Sequence, residues 1–491
     1  MPTTAPQLRH ATLPELIHGL QNGQFTGEHL TWSAVSVVLA DHFTASRSSS
    51  RTTYLRSTAW TPHVARSLAL VGARPPEEAD VVTAPRKAGS VIIGKANMAE
   101  WAGFRSTSGC SGWSARGGQT KGIFYPGMKA SGSSGGCAVA VALGLCFAAI
   151  GTEKCYFTVS PAERSDVVGF KPTRGLISSE GLIFASKRLD TVGVSTRNVS
   201  DAMHMLLELV YHDSHHTLET KLKILQDIGP VCMNRGLAGV RIGIPWHLRD
   251  FATLHGAKLE PFKHMLNALR CVGATNVHEV IVTGAEEFEA MSAPEKSIIL
   301  DTDMKSGINT YLSSLTTNPH YIRDVQDLIA FTKECPSEAY PFRNVEGFER
   351  AEATAPDSEL YLRMLGRDEY FAGEGGIDGA LNHHRCTILI VPVLSVTLQS
   401  FAAKAGSPVM SVPIGSYPTG TVVRRMRRTD WSMLHQEYRT YSIVRFSAYI
   451  FGRATKDEDV LKVGYLIERS TRVRKGLKPY LQPKTELGPV V

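Results

Sequence analysis

The stretch KASGSSGGCAVAVALGLCFAAIGTEKCYFTVSPAERSDVVGFKPT, residues 129–173, decides how the rest of the chain is read. A Gly/Ser-rich turn, Ser131 to Gly136, opens the apolar run Cys137–Ile150. Small residues in the turn let backbone approach backbone, and the run predicts a buried helix. It is too short to cross a bilayer core of about 30 Å, and Gly144 interrupts it. Gly151-Thr152-Glu153 follows, then Ser160-Pro161-Ala162, then Gly169-Phe170-Lys171-Pro172-Thr173.

Upstream, Thr12 and Glu15 form a capping-box pattern ahead of LIHGL, which Gly23 stops. Thr26 predicts the cap of a longer helix through LTWSAVSVVLADHF, and Ser46–Tyr54 is polar without a period. Residues 67–104 read as α/β: SLALVGA, a helical EEADVV, the strand SVIIG, and a turn into Lys95–Trp101. Downstream come a helix at 200–211, the strand VRIGIP (240–245), a helix at 256–272 and the strand VHEVIV. Residues 286–350 are mostly helical, CTILIVPV (386–393) is a buried strand, and Leu461–Val473 closes as a helix. Strands alternating with helices predict an α/β chain. No Pro/Gly/Ser-rich linker divides it, so residues 1–491 read as one domain with a variable, mostly helical insertion region at 212–385.

Composition excludes several classes. Hydrophobic residues make up 43% and charged residues 20% of 491, as in soluble globular proteins. The net charge of +7 is a weak bias, and the one dense basic cluster, Arg424-Arg425-Met426-Arg427-Arg428, reads as a solvated loop rather than a nucleic-acid surface. The first residues carry no charged segment followed by an apolar one, so no secretory signal is expected. Eight cysteines without CxxC spacing fit reduced thiols in a cytoplasmic protein, not a zinc site. His212, His215 and His216, and His383 with His384, read as loop residues rather than metal ligands, and no nucleotide motif is present.

Several segments together resemble the amidase signature family, its fungal-type members in particular. They are GKANMAEW (94–101), SGWSARGGQT (111–120), the 129–173 block, DTVGVSTRNVSDA (190–202), YLSSLTTNP (311–319) and LIERSTRVRKGLKPYLQPKTEL (466–487). The resemblance implies an amidase-signature fold, a single large mixed β-sheet covered by helices on both faces. It implies hydrolysis of a small-molecule carboxamide without metal or cofactor and no nucleic-acid or membrane partner, and it is compatible with a homodimer. In that family one serine attacks the amide carbonyl. A second serine, held in a cis peptide, relays its proton to a neutral lysine, and backbone N–H groups stabilise the oxyanion.

Residue by residue, the resemblance puts the bridging serine at Ser133, beside Ser134. Family members write the nucleophile segment as G-T-[DE]-x-[GD]-G-S. Here it reads Gly151-Thr152-Glu153-Lys154-Cys155-Tyr156-Phe157, pinned on its far side by Val159-Ser160-Pro161-Ala162. The resemblance thus puts the nucleophile position at Phe157, where Tyr156 replaces a glycine, and gives Lys154, Cys155, Tyr156 and Ser134 the oxyanion and substrate-binding role. Cys155 and Thr158 are out-of-register substitutes for the nucleophile. The catalytic lysine belongs at the end of a strand upstream of GKANM, in a Lys-Asp-Asn type motif. Spacing places it near Thr52, yet no lysine occurs from Met1 to Arg86. Arg51 stays protonated and cannot act as the base, and Lys95 is structural. The expected alternatives are thus an amide hydrolase by family and a catalytically inactive pseudo-amidase that binds a ligand or partner.

Overall fold

A computed structural model describes residues 36–40, 66–107, 111–233, 236–425, 436–439, 444–471 and 473. Ten strands form one mixed sheet: β1 (Ser36–Ala40), β2 (Val91–Ala96), β3 (Ala148–Glu153), β4 (Val168–Lys171), β5 (Thr191–Thr196), β6 (Arg241–Gly243), β7 (Thr275–Val277), β8 (Ile388–Val391), β9 (Val409–Ser416) and β10 (Arg445–Phe451). Their spatial order is β2-β1-β3-β5-β4-β9-β10-β8-β6-β7. β1 runs parallel to both β2 and β3, and β6 parallel to β7 and β8, while the pairings from β3 to β8 through β5, β4, β9 and β10 are antiparallel.

Alternate side chains of the central strands enter different cores, as a period of two requires. Ile388, Ile390, Met410, Val412, Ala448 and Ile450 join one cluster; Leu389, Val391, Val409, Tyr449 and Phe451 join the other. Helices Asp80–Lys87, Val199–His212, Gly256–Cys271 and Asp457–Thr471 cover the first face. Glu359–Ala372, Ile377–His383 and Val396–Ala405 cover the second. The fold class is the α/β arrangement expected. A third cluster joins Ala293–Ser314, Val325–Glu334 and Glu346–Glu352 to Trp101, Phe104, Ile183 and Ala185. Among the described residues no helix is long and apolar enough to cross a membrane.

Four local expectations need correction. The run Cys137–Ile150 is not one helix: Gly135–Ala142 is helical, Gly144 turns at φ 71°, and the run then enters β3. Small Ala148 and Ala149 suit the crowded sheet interior, between β1 and β5. The helix expected after Thr26 is instead strand β1 at Ser36–Ala40, where β-branched Val37 and Val38 sit between two parallel neighbours. VHEVIV leaves the sheet after Val277, because ring nitrogens of His384 (2.9 Å) and His247 (3.4 Å) take the N–H groups of Ile281 and Val282. Arg424 and Arg425 lie in a two-stranded ribbon, Val422–Arg425 against Gln436–Arg439, rather than a loop. The helix expected between Thr12 and Gly23, the polar 46–54 segment and Arg51 lie outside the described residues.

Candidate active site

The Gly/Ser turn is held by the end of β2. Gly136 N–H donates to the Asn97 carbonyl (3.2 Å) and Ala99 N–H to the Ser133 carbonyl (3.1 Å). The Asn97 side chain donates to the Gly118 carbonyl and Thr120 Oγ1 (3.0 Å each) and accepts from Ser114 Oγ (2.8 Å). A Cβ on Gly136 would stand 2.3 Å from the Asn97 carbonyl oxygen, so this position admits glycine alone. Gly136→Ala is expected to cost about 1–3 kcal/mol as overpacking against backbone, read as a lower denaturation midpoint. An unchanged midpoint would refute that close approach.

The peptide bond Gly132–Ser133 is cis. Ser133 is 1% exposed, and among the described residues its Oγ has no hydrogen-bond partner. Ser134 N–H donates to the Phe157 carbonyl (3.1 Å), so the turn abuts the 154–158 loop directly. That loop is fixed by the Glu153 carboxylate, which accepts from the N–H groups of Phe157 (2.6 Å), Thr158 (2.5 Å) and Val159 (3.1 Å). Burial raises the Glu153 pKa, while these N–H groups and the Lys171 ammonium pull it down. Lys171, buried in the GFKPT segment, is itself lowered to about 8 by burial. Its Nζ donates to the Ser407 carbonyl.

Phe157, the position that the resemblance gives to the nucleophile, lies in the loop bonded by Glu153. Tyr156 holds φ 59°, the left-handed region that favours glycine, and its ring meets that of Phe157 edge-on at 5.5 Å. Neither substitute nucleophile is activated. Burial pushes the Cys155 thiol up to about 12, and its Sγ lies 3.6 Å from Ser400 Oγ. Thr158 Oγ1 donates to the Thr152 carbonyl (3.3 Å). Lys95 lies within β2 in register with Leu39, its carbonyl accepting from Arg66. Thr52 lies outside the described residues.

A narrow cleft of about 10 Å³, room for about one water, opens at this loop. Lys154, Phe157 and Thr152 line it together with Trp101, Ala102, Ile183, Ala185, Asp190 and Met304. The sequence reading gave no role to Trp101 or Asp190, although GKANMAEW and DTVGVSTRNVSDA contain them. Their apolar and carboxylate chemistry carries no signal until the fold brings them to Phe157. Elsewhere, Asp80, Asp213 and His215 bring ligand-type atoms within 4.8 Å of one another. His215 Nδ1 lies 3.1 Å from Asp80 and 3.2 Å from Asp213, and both carboxylates also accept from Ser178. The group reads as a hydrogen-bonded cluster.

A mixed sheet faced by helices, with a cis Gly-Ser turn packed on a Gly-Thr-Glu loop, defines the amidase-signature class. The chain belongs to the Amidase family, whose model matches residues 57–425. It is 33% identical over 428 residues to a provisionally assigned amidase of Arthroderma benhamiae, covering 86% of this chain and 70% of that protein. A similarly assigned amidase of Arabidopsis thaliana is 33% identical over 362 residues, 73% of this chain and 68% of the relative. Among solved structures, the native peptide amidase of Stenotrophomonas maltophilia superposes with a TM-score of 0.72 at 28% identity, covering 97% of this chain and 91% of that one.

Proposed function

We propose that this chain keeps the amidase fold as a small-molecule binder and does not cleave amides by the serine–serine–lysine route. The observation that carries this reading is Phe157, at the position the resemblance gives to the nucleophile, in a loop held against the serine turn by the Ser134–Phe157 hydrogen bond and by the Glu153 carboxylate. A phenyl ring cannot attack a carbonyl. The unpartnered Ser133 hydroxyl agrees with a relay that has lost its donor.

The backbone also supports a different seat for the missing lysine. β1, β2 and β3 are parallel neighbours and end at one edge of the sheet. β2 runs into Asn97, which holds the Gly/Ser turn, and β3 ends at Glu153, which holds the 156–158 loop. β1 ends at Ala40, in register with Ala96, and Asp41 follows. A Lys-Asp-Asn motif closing this strand would put its lysine at Ala40, whereas spacing alone had led to Thr52. Alanine offers no base.

The full chain treated with a fluorophosphonate probe is expected to show no labelled serine, and simple aliphatic and aromatic amides are expected to persist at the buffer rate. Probe attached to any serine, with turnover abolished by that labelling, overturns the reading.

A further inference from the structure

The paired histidines at the end of helix Ile377–His383 take no part in the site around Phe157, yet they hold a piece of backbone. The chain leaves the sheet after β7, and its next residues cover the second core. Val280 and Val282 are each 1% exposed and join the cluster of Leu248, Phe371, Leu389 and Tyr449, while Ile281 between them is exposed. Two successive backbone N–H groups here are taken by imidazole. Ile281 N–H donates to His384 Nε2 (2.9 Å) and Val282 N–H to His247 Nε2 (3.4 Å). A bridge between Pro245 and Glu279 fixes one end of the segment. At the other, Thr283 Oγ1 donates to the Glu374 carbonyl (3.3 Å) and Gly284 N–H to the Gly375 carbonyl (2.8 Å).

An imidazole nitrogen accepts a hydrogen bond only while the ring is neutral. Protonation makes both ring nitrogens donors, so turning the ring over restores nothing. Each of the two N–H groups would then face another N–H.

The surroundings supply no carboxylate to steady a charged ring. The His383 ring lies 4.9 Å from that of His384. From β6, Arg241 donates to the carbonyls of Arg385 (2.7 Å) and His384 (3.4 Å), and Cys386 Sγ reaches the His384 carbonyl at 3.6 Å. On the helix, Asp378 pairs with Arg453 (4.0 Å), which also donates to Asn382 (2.7 Å). On the turn that carries His247, Arg249 pairs with Glu289 (3.5 Å) and Asp250 bonds Ser395. The segment's own titratable residues are His278 and Glu279. Among the described residues no carboxylate oxygen lies within 4.0 Å of a ring nitrogen of His247, His383 or His384. The C-terminal end of the helix favours a charged ring. The balance still holds the His384 pKa below its ordinary value, burial contributing most and the His383 charge next. A group lowered in the folded state adds stability above its unfolded pKa, about 6.5 for imidazole, and that contribution is lost as pH falls through the folded pKa.

We propose that residues 279–283 form an acid-released flap: neutral His247 and His384 fasten it over the core at the sheet edge, and their protonation frees it, exposing Val280 and Val282 while the rest of the sheet stays folded. The flap does not depend on whether the site at Phe157 binds or cleaves anything.

Amide hydrogen exchange of the full chain tests this, read by mass spectrometry on peptic fragments at about pH 5.5 and about pH 7.5 and scaled for the intrinsic pH dependence of exchange. The fragment spanning 279–283 is expected to lose at least about tenfold in protection at the lower pH, while fragments from β9 and β10 keep theirs. His247→Gln together with His384→Gln puts a side-chain carbonyl oxygen, an acceptor at either pH, in place of each ring nitrogen. That double variant is expected to keep the fragment's protection within about threefold across the two pH values. Should it fail to fold, the parent chain decides alone: its loss of protection follows a transition centred at or below about pH 6.5. Equal protection at the two pH values in the parent, a transition centred higher, a loss shared equally by β9 and β10, or an undiminished loss in the double variant overturns the proposal.

Discussion

A variant carrying Ala40→Lys, Tyr156→Gly and Phe157→Ser together is expected to hydrolyse a simple aromatic amide at least about 10³-fold faster than the parent chain. Catalytic residues that act as a unit are worth about 10⁶ in turnover, so restoring them in an imperfect pocket should recover a measurable part. Each substitution has its own reason. Serine at 157 supplies the attacking hydroxyl on a loop already held by Glu153 and by Ser134 N–H. Glycine at 156 suits φ 59° and removes the ring packed edge-on against 157. Lysine at the end of β1 supplies a base at the sheet edge where both halves of the site meet. Phe157→Ser alone is expected to stay within about tenfold of the parent, because an unassisted serine hydroxyl is a poor nucleophile. Adding Ser133→Ala to the triple variant should remove the gain, since the relay then has no middle member. Fluorophosphonate labelling at position 157 reports the same assembly without a substrate. If Phe157→Ser alone matches the triple variant, the base is not at 40, and the buried amine of Lys154 becomes the group to test.

How much of this was legible in the sequence depends on whether a signal is local. The Gly/Ser turn and the Gly-Thr-Glu segment are short, and their chemistry follows from residue type. Ser133, Ser134 and the 154–157 loop are therefore legible as parts of one site, and the structure brings Ser134 and Phe157 together. β1 was not legible. Val37, Val38 and Leu39 sit amid residues compatible with a helix, and the register to Ile92 and Ala148 that makes them a strand is set by neighbours 50 and more residues away. The lysine position near Thr52 rests on counting back from Ser67, and the end of β1 at Ala40 is the alternative seat proposed above. The cleft was illegible for the same reason. Trp101, Ile183, Asp190 and Met304 come from four distant segments, and nothing in their spacing announces a shared wall. Gly144 was visible as an interruption but was read within a helix. Its left-handed turn lets helix Gly135–Ala142 give way to β3, and so carries the chain from the serine turn to the loop that faces it.

Arg105→Met is expected to cost about 3–5 kcal/mol in stability, the loss typical of removing one partner from a buried ionic group. Arg105, Glu100 and Glu338 are fully buried. The guanidinium donates to Glu100 Oε1 (2.6 Å), Glu338 Oε2 (2.5 Å), and the carbonyls of Glu338 (2.5 Å) and Arg343 (2.9 Å). The carboxylates extend the clamp: Glu100 Oε2 accepts from Ala115 N–H (2.7 Å), and Glu338 Oε1 from Ser67 Oγ (3.0 Å) and Leu68 N–H (2.7 Å). One side chain thus ties the start of the 67–70 turn, the GKANMAEW segment and the turn at 338–343. Its partner Glu100 directly precedes the Trp101-Ala102 wall of the cleft, where both residues hold positive φ (48° and 57°). Without the guanidinium two buried carboxyls face each other. Burial, and then the Glu338 charge, already hold the Glu100 pKa well above its usual value. A carboxyl raised in the folded state binds more protons there than in the unfolded chain, so its contribution to stability grows as pH falls toward the unfolded pKa. The penalty of Arg105→Met should therefore be smaller at pH 5 than at pH 8, as one carboxyl takes up a proton. Replacing both acids as well, with Glu100→Gln and Glu338→Gln, should recover part of the loss, because no unpaired charge remains. Urea midpoints of the single and triple variants at the two pH values check all three statements. A single variant within about 1 kcal/mol of the parent at pH 8 would mean that the clamp adds little net stability.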